Sequence, residues 1–219
     1  MKKFLTAVLS LTMFHSQVFI PIYAEKEQHE KEVSKETVLD FNEFQYVSEH
    51  IAEDSVISYS FDGETETYTI MDPHTNEVTD IISVTTPMYS TNSDSNVHTA
   101  FLTADKIISG KGETVVKLRF TASVEKYSSG SFRSINALNY TTVGIVASMT
   151  DMEFKSKESH ARPKTGGYPT TELSWSYTVN VATSGTVSVA LAPYFVSAGF
   201  SKTNYFYKII NDAGTFRLY

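Results

Sequence analysis

Residues 113–127, ETVVKLRFTASVEKY, constrain the fold more than any other stretch of the chain. Val116, Leu118, Phe120, Ala122 and Val124 fall at every second position, with Val115, Lys117, Arg119, Thr121 and Ser123 between them. A helix would scatter the first set around its axis, whereas a strand gathers it on one buried face and turns the second set outward. A strand also leaves its backbone N–H and C=O groups unsatisfied until neighbours pair with it. The chain must therefore supply further strands.

It does so repeatedly. VISYSF (56–61), Asp62-Gly63 and ETETYTIM (64–71) form a hairpin pattern, because Asp-Gly accepts the positive φ angles of a tight turn. A two-residue turn sets Ile57 opposite Tyr68 and Tyr59 opposite Glu66, with Ile57, Tyr59, Phe61, Tyr68 and Ile70 on the core face. EVTDIISVTT (77–86) extends this to a meander, and TTVGIVASM (141–149) adds another strand. Two alternating arms at 172–182 and 186–192, then NYFYKII (204–210) and TFRLY (215–219) joined by a turn at 211–214, complete eight or nine strands. Polar turns and the absence of an internal repeat predict an all-β fold, an antiparallel β-sandwich of jelly-roll-like type spanning 56–219.

The first 55 residues read differently. Lys2 and Lys3 precede an apolar run from Phe4 to Met13, and Ala24 follows Ile22 at the spacing of a signal-peptidase site, which predicts a signal peptide over 1–24. Ser10, His15, Ser16 and Gln17 interrupt the run before it reaches the roughly 20 apolar residues of a membrane span. Residues 25–55 carry ten acids and three lysines and predict an acidic leader. Within it Val38, Phe41, Phe44, Val47 and Ile51 recur at spacings of three and four, the pattern of a short amphipathic helix that packs on the β domain or covers it.

Charge and chemistry narrow the function classes. The chain has no cysteine, so neither disulfides nor a lipid-bearing N-terminal Cys are available. Pro163-Lys164-Thr165-Gly166 is similar to the core of a sortase signal, but Arg162 replaces its leucine and no hydrophobic tail follows, so this is read as a loop. The predicted location is secreted, neither lipid-anchored nor sortase-anchored, with no transmembrane segment after signal cleavage. A net charge of −7 and scattered bases argue against nucleic acid. No zinc-protease, nucleophile-elbow or phosphate-loop motif occurs, so no catalytic residue and no cofactor are assigned and the expectation is a non-enzymatic protein. Glu64, Glu66 and His160 are the residues to test for a hydrolase built from distant groups. Asp72, Asn76, Glu77 and Asp80, or Asn92, Asp94 and Asn96, offer oxygen ligands for calcium, but Asp and Asn shape turns without metal, and no metal site is expected.

The remaining signal is aromatic. Trp175, Tyr194, Phe195, Phe200, Tyr205 and Tyr207 are nominated as contacts for a ligand or a membrane surface, against the alternative that such residues fill the core of a cysteine-free sandwich. The arms 171–193 set Leu173, Trp175, Tyr177, Val179, Val181, Val187, Val189 and Leu191 on one face and a Ser/Thr-rich set on the other. That composition resembles the insertion hairpins of secreted pore-forming toxins, although Pro193 ends the second arm short of the 9 to 11 residues a spanning strand needs.

FDGETETYTIMDPHTNEVTDIISV (61–84) and SWSYTVNVATSG (174–185) resemble a family of small secreted β-rich Gram-positive bacterial proteins of unknown function. The resemblance implies secretion and a β-rich fold, and no activity. The expected function is binding of an extracellular partner, whether a surface polymer, a host molecule or a protein. The alternative is a membrane-active, pore-forming or antimicrobial protein guarded by its acidic leader.

Overall fold

A computed structural model of the chain describes residues 36–87, 96–202 and 205–219, all within the unit Ser34–Tyr219. The signal peptide, the first part of the acidic leader and most of the 91–96 loop lie outside the described residues. The strands are β1 (Thr37–Asp40), β2 (Phe44–Ser48), β3 (Val56–Phe61), β4 (Thr65–Met71), β5 (Val78–Thr85), β6 (Val97–Gly110), β7 (Glu113–Ser129), β8 (Phe132–Ser148), β9 (Met152–Pro163), β10 (Glu172–Thr183), β11 (Ser201–Lys202) and β12 (Phe206–Leu218). One short helix, α1 (Ala192–Ser197), precedes β11.

They build two antiparallel sheets of six strands each. The first is a meander in chain order, β3-β4-β5-β6-β7-β8, and the second runs β1-β2-β12-β10-β9 with β11 paired to β12. The chain is thus all-β and sandwich-like, but the Greek-key order of a jelly roll is absent from the meander. Turn chemistry explains the simple connectivity. Asp72 Oδ1 accepts the N–H groups of His74 and Thr75 at 2.8 and 2.9 Å, and Asn76 follows at φ 59°. Between β6 and β7, Lys111 and Gly112 both adopt positive φ, 51° and 80°, as a tight hairpin turn requires.

The core forms as the alternation in 113–127 demands. Val116, Leu118, Phe120, Ala122 and Val124 are fully buried on β7, and Leu173, Trp175, Tyr177, Val179 and Val181 face them from β10. Phe120 and Trp175 stack across the sheets with ring centroids 4.5 Å apart and planes 14° from parallel. Val115, expected outward, is also fully buried, where the backbone of Met149 donates to its carbonyl. Gly214, opposite Trp175 on β12, is required by close approach: a Cβ there would stand 2.5 Å from Tyr46 Oη.

Four expectations are corrected. The helix predicted within 36–55 is instead the β1–β2 hairpin, pairing Val38 with Val47, and β2 continues the second sheet by pairing with β12. Phe41, Phe44, Val47 and Ile51 are buried, but not as a helix face: Val38 is 45% exposed, and Leu39 and Tyr46, which a helix would turn away, are buried. Docking on a sheet overrides the local spacing, and the segment assigned to a leader contributes two strands to the domain. The second arm of the 172–192 hairpin is not a strand either. Both edges of β10 are occupied, by β9 and β12, so residues 186–191 cannot pair back onto β10 as a hairpin and lead through a turn into α1, with Pro193 in the first helical turn.

The third correction concerns 211–214, which form no turn; β12 runs unbroken from Phe206 to Leu218. In the fourth, four residues, 62–65, separate the last β3–β4 pair, so Ile57 lies opposite Ile70 and Tyr59 opposite Tyr68. Asp62 Oδ1 accepts from the N–H groups of Glu64 and Thr65 at 3.2 and 2.8 Å and sets this wider turn. The two-residue slip preserves which side chains share a face. However, β3 is an edge strand whose residues are all exposed, so Ile57, Tyr59 and Phe61 do not enter the core. The stretch 152–163, not recognised as a strand, forms β9, and its last residues Ala161–Pro163 take up the start of the predicted loop.

Candidate functional site

The six nominated aromatics do not form one platform. Trp175 is 2% exposed and stacked on Phe120, with Tyr177 and Tyr46 at centroid distances of 6.0 and 6.3 Å. Phe195 and Phe200 are buried together with Phe206, each 5.4 Å from the Phe195 ring. Tyr194 and Tyr207 are half-buried, and Tyr205 is exposed with Lys155 Nζ 4.9 Å from its ring centre. The core reading therefore accounts for Trp175, Phe195 and Phe200.

A different set of rings lines a cleft. Asp40, Phe41, Asn42, Tyr59, Phe61, Glu66 and Tyr219 enclose about 340 Å³ where the β1–β2 turn and the end of β12 meet the β3–β4 hairpin. Tyr59, Phe61 and Tyr219 are 52%, 60% and 55% exposed. Alternation on β3 sets Tyr59 and Phe61 on one face, about 7 Å apart along the strand. Phe41 is buried beneath them, edge-on to Tyr68 at 4.9 Å.

Hydrogen bonds fix these rings. Tyr59 Oη donates to Glu66 Oε2 at 3.1 Å, and the same oxygen accepts the Asn42 N–H at 2.8 Å. Tyr68 Oη donates to the Asp40 carbonyl and Tyr219 Oη to the Phe41 carbonyl, both at 2.6 Å. Each phenol is pushed above its ordinary pKa, first by desolvation and then by nearby charge: Glu66 acts on Tyr59, and Asp40 and Glu66 act on Tyr68 and Tyr219. Glu43, next to Asn42, is engaged by Lys126 and Arg133. Among the described residues no lysine, arginine or histidine lines the cleft.

A second concavity, about 320 Å³, is lined by His50, Asp54, Asp72, His74, Asp80 and Lys106 among others. Its charged groups already have partners: Lys106 Nζ lies 2.8 Å from Asp80, His74 lies 3.7 Å from Asp54, and Asp72 caps its own turn. Asp212 on β12 is buried near Asp80 and Lys106, and desolvation pushes its carboxyl up to about 6. Among the described residues no group of three or more His, Asp or Glu is placed to hold a metal ion. Of the proposed calcium ligands, Asp72 and Asp80 are committed to these contacts, whereas Asn92 and Asp94 lie outside the described residues.

Of the hydrolase set, Glu66 lies in the aromatic cleft and Glu64 in the adjoining turn, while His160 lies on β9 of the other sheet, 2.8 Å from Glu158. Sequence reasoning missed Tyr59, Phe61 and Tyr219 as a site because it placed the first two in the core. The signal that could have found them was VISYSF itself, a strand with no charge beside a carboxylate-bearing partner strand. Compared with family models, with curated proteins and with solved structures, the chain matches nothing.

Proposed function

We propose that the chain is a secreted, non-enzymatic β-domain that binds an extracellular ligand through the cleft between Tyr59, Phe61, Glu66 and Tyr219. The observation that carries this is the tethering of the rings. Tyr59 and Tyr219 each spend their hydroxyl proton on a neighbour, so these exposed rings, Tyr59 packed on Tyr68 at 5.1 Å, are held beside a carboxylate instead of collapsing into the core. Exposed aromatic faces held in advance lose little rotamer freedom on binding, which favours affinity. Export rests on the lysine-led apolar run at the N-terminus. The membrane-active alternative rests on the 171–193 hairpin and the acidic leader; that residues 186–191 form no strand here favours the binding reading over it.

Phe61→Ala tests the proposal. Phe61 is 60% exposed, so truncation leaves the core intact and the melting temperature within about 2 °C of the parent. Ligands captured on glycan and protein arrays by the parent should bind at least about tenfold more weakly to the variant, as expected for a contact aromatic. Unchanged capture by the variant would remove the cleft from the binding site.

A further inference from the structure

Resting on the cleft as the binding site, we infer that its ligand presents an alkylammonium group, a positively charged nitrogen seated between the faces of Tyr59, Phe61 and Tyr219 and against Glu66. The cleft has spent all its donors but the Asn42 side-chain amide. The Asn42 N–H and the Tyr59 hydroxyl both go to Glu66 Oε2, and the Tyr219 hydroxyl goes to the Phe41 carbonyl. Apart from the Asn42 side-chain amide, what the lining offers a ligand is acceptors and three exposed rings: the carboxylates of Glu66 and of Asp40, whose Oδ1 already accepts from Gln45 Nε2 at 2.8 Å, and the rings of Tyr59, Phe61 and Tyr219.

An anionic ligand would meet two carboxylates and, among the described residues, no base. A neutral sugar could donate its hydroxyls to these carboxylates but would find only the Asn42 side chain to donate to it, and it would leave the carboxylate charge uncompensated. A cation satisfies both features at once, because the negative face of each ring and the carboxylate attract it together. The spacing agrees, since side chains two apart on a strand stand about 7 Å apart, room for one methylated ammonium between Tyr59 and Phe61.

The test titrates the full chain with choline, with the amide of Nα-acetyl-lysine, and with 3,3-dimethyl-1-butanol, the uncharged shape match of choline. Binding is followed by the ring-proton chemical shifts of Tyr59, Phe61 and Tyr219. One of the two cations should bind at least about tenfold more tightly than the neutral alcohol, and Glu66→Gln should cut that preference severalfold at unchanged melting temperature. Choline the tighter assigns a methylated headgroup or polymer substituent, and the lysine amide the tighter assigns a protein side chain. Equal affinity for the alcohol, or a preference that survives Glu66→Gln, overturns the ammonium inference and leaves the cleft as a site for neutral ligands. Absence of any ring shift with these probes and with the array-captured ligands overturns both readings.

Discussion

Asp212→Asn should stabilise the protein at neutral pH and do nothing in acid. Asp212 lies on β12 with its side chain turned between the sheets, 8% exposed, opposite Tyr177 of β10. The groups that act on it are Lys106 and Asp80 from the meander sheet, His50, and the Ala213 N–H, which donates to Oδ1 at 2.9 Å. Desolvation is the largest effect and raises the carboxyl from 3.8 to about 6; Asp80 adds to it and Lys106 opposes it. Because the folded protein holds this proton more tightly than the unfolded chain, stability is highest below about pH 4 and falls as pH rises toward 6, where the full cost is reached. A shift of about two units corresponds to about 3 kcal/mol, a large share of the 5–15 kcal/mol typical of a domain. Asn keeps the acceptor for Ala213 and removes the titrating charge. Urea unfolding of parent and variant at pH 3 and pH 7 measures the effect: nearly equal midpoints at the lower pH and a gain of about 3 kcal/mol at the higher are expected. A variant no more stable at pH 7, or one whose gain is the same at both values, would refute the argument that a buried charge is the cause.

Two further substitutions test the packing. Trp175→Ala removes the ring stacked on Phe120 and should cost about 3–5 kcal/mol, whereas Tyr205→Ala, at an exposed ring, should stay within about 0.5 kcal/mol; equal losses in chemical denaturation would contradict the assignment of Trp175 to the core. Gly214→Ala sets a methyl group against Tyr46, whose ring carbons stand 2.7 Å from the Cβ position, and should lower stability by about 1–3 kcal/mol; a neutral result would mean that β2 yields without cost.

What local pattern revealed depends on whether the deciding force was itself local. On β7 the direction of each Cβ puts Val116, Leu118, Phe120, Ala122 and Val124 in the core, as spacing alone assigns them, while Val115 and Ser123 on the other face are buried as well, which spacing does not show. On 36–55 two short strands around a turn imitate a helix. Phe41, Phe44, Val47 and Ile51 are indeed buried, but Phe41 lies in the turn, and Leu39 and Tyr46 are buried beside them. Only the pairing of β2 with β12, some 170 residues away in sequence, separates the two possibilities. Thr186–Ala192 alternates as well as any strand in the protein, yet it is excluded because β9 already occupies the edge of β10 it would need. Nothing within those residues records that occupancy.

The same reasoning explains why the nominated site and the cleft differ. Aromatic density along the chain, highest from Tyr194 to Tyr207, measures how much apolar surface a segment can bury, and Phe195, Phe200 and Phe206 are buried accordingly. A recognition surface needs the opposite property, rings kept out of the core, and that depends on where their hydroxyls find acceptors. Tyr59 finds Glu66 across a hairpin, while Tyr219 finds the Phe41 carbonyl 178 positions away. Local composition can register the first of these tethers, through an uncharged strand facing a glutamate, but not the second. The cleft exists because the second sheet carries residues 40–42 and 219 to the edge of the first, so its chemistry is a property of the sandwich and of no single segment.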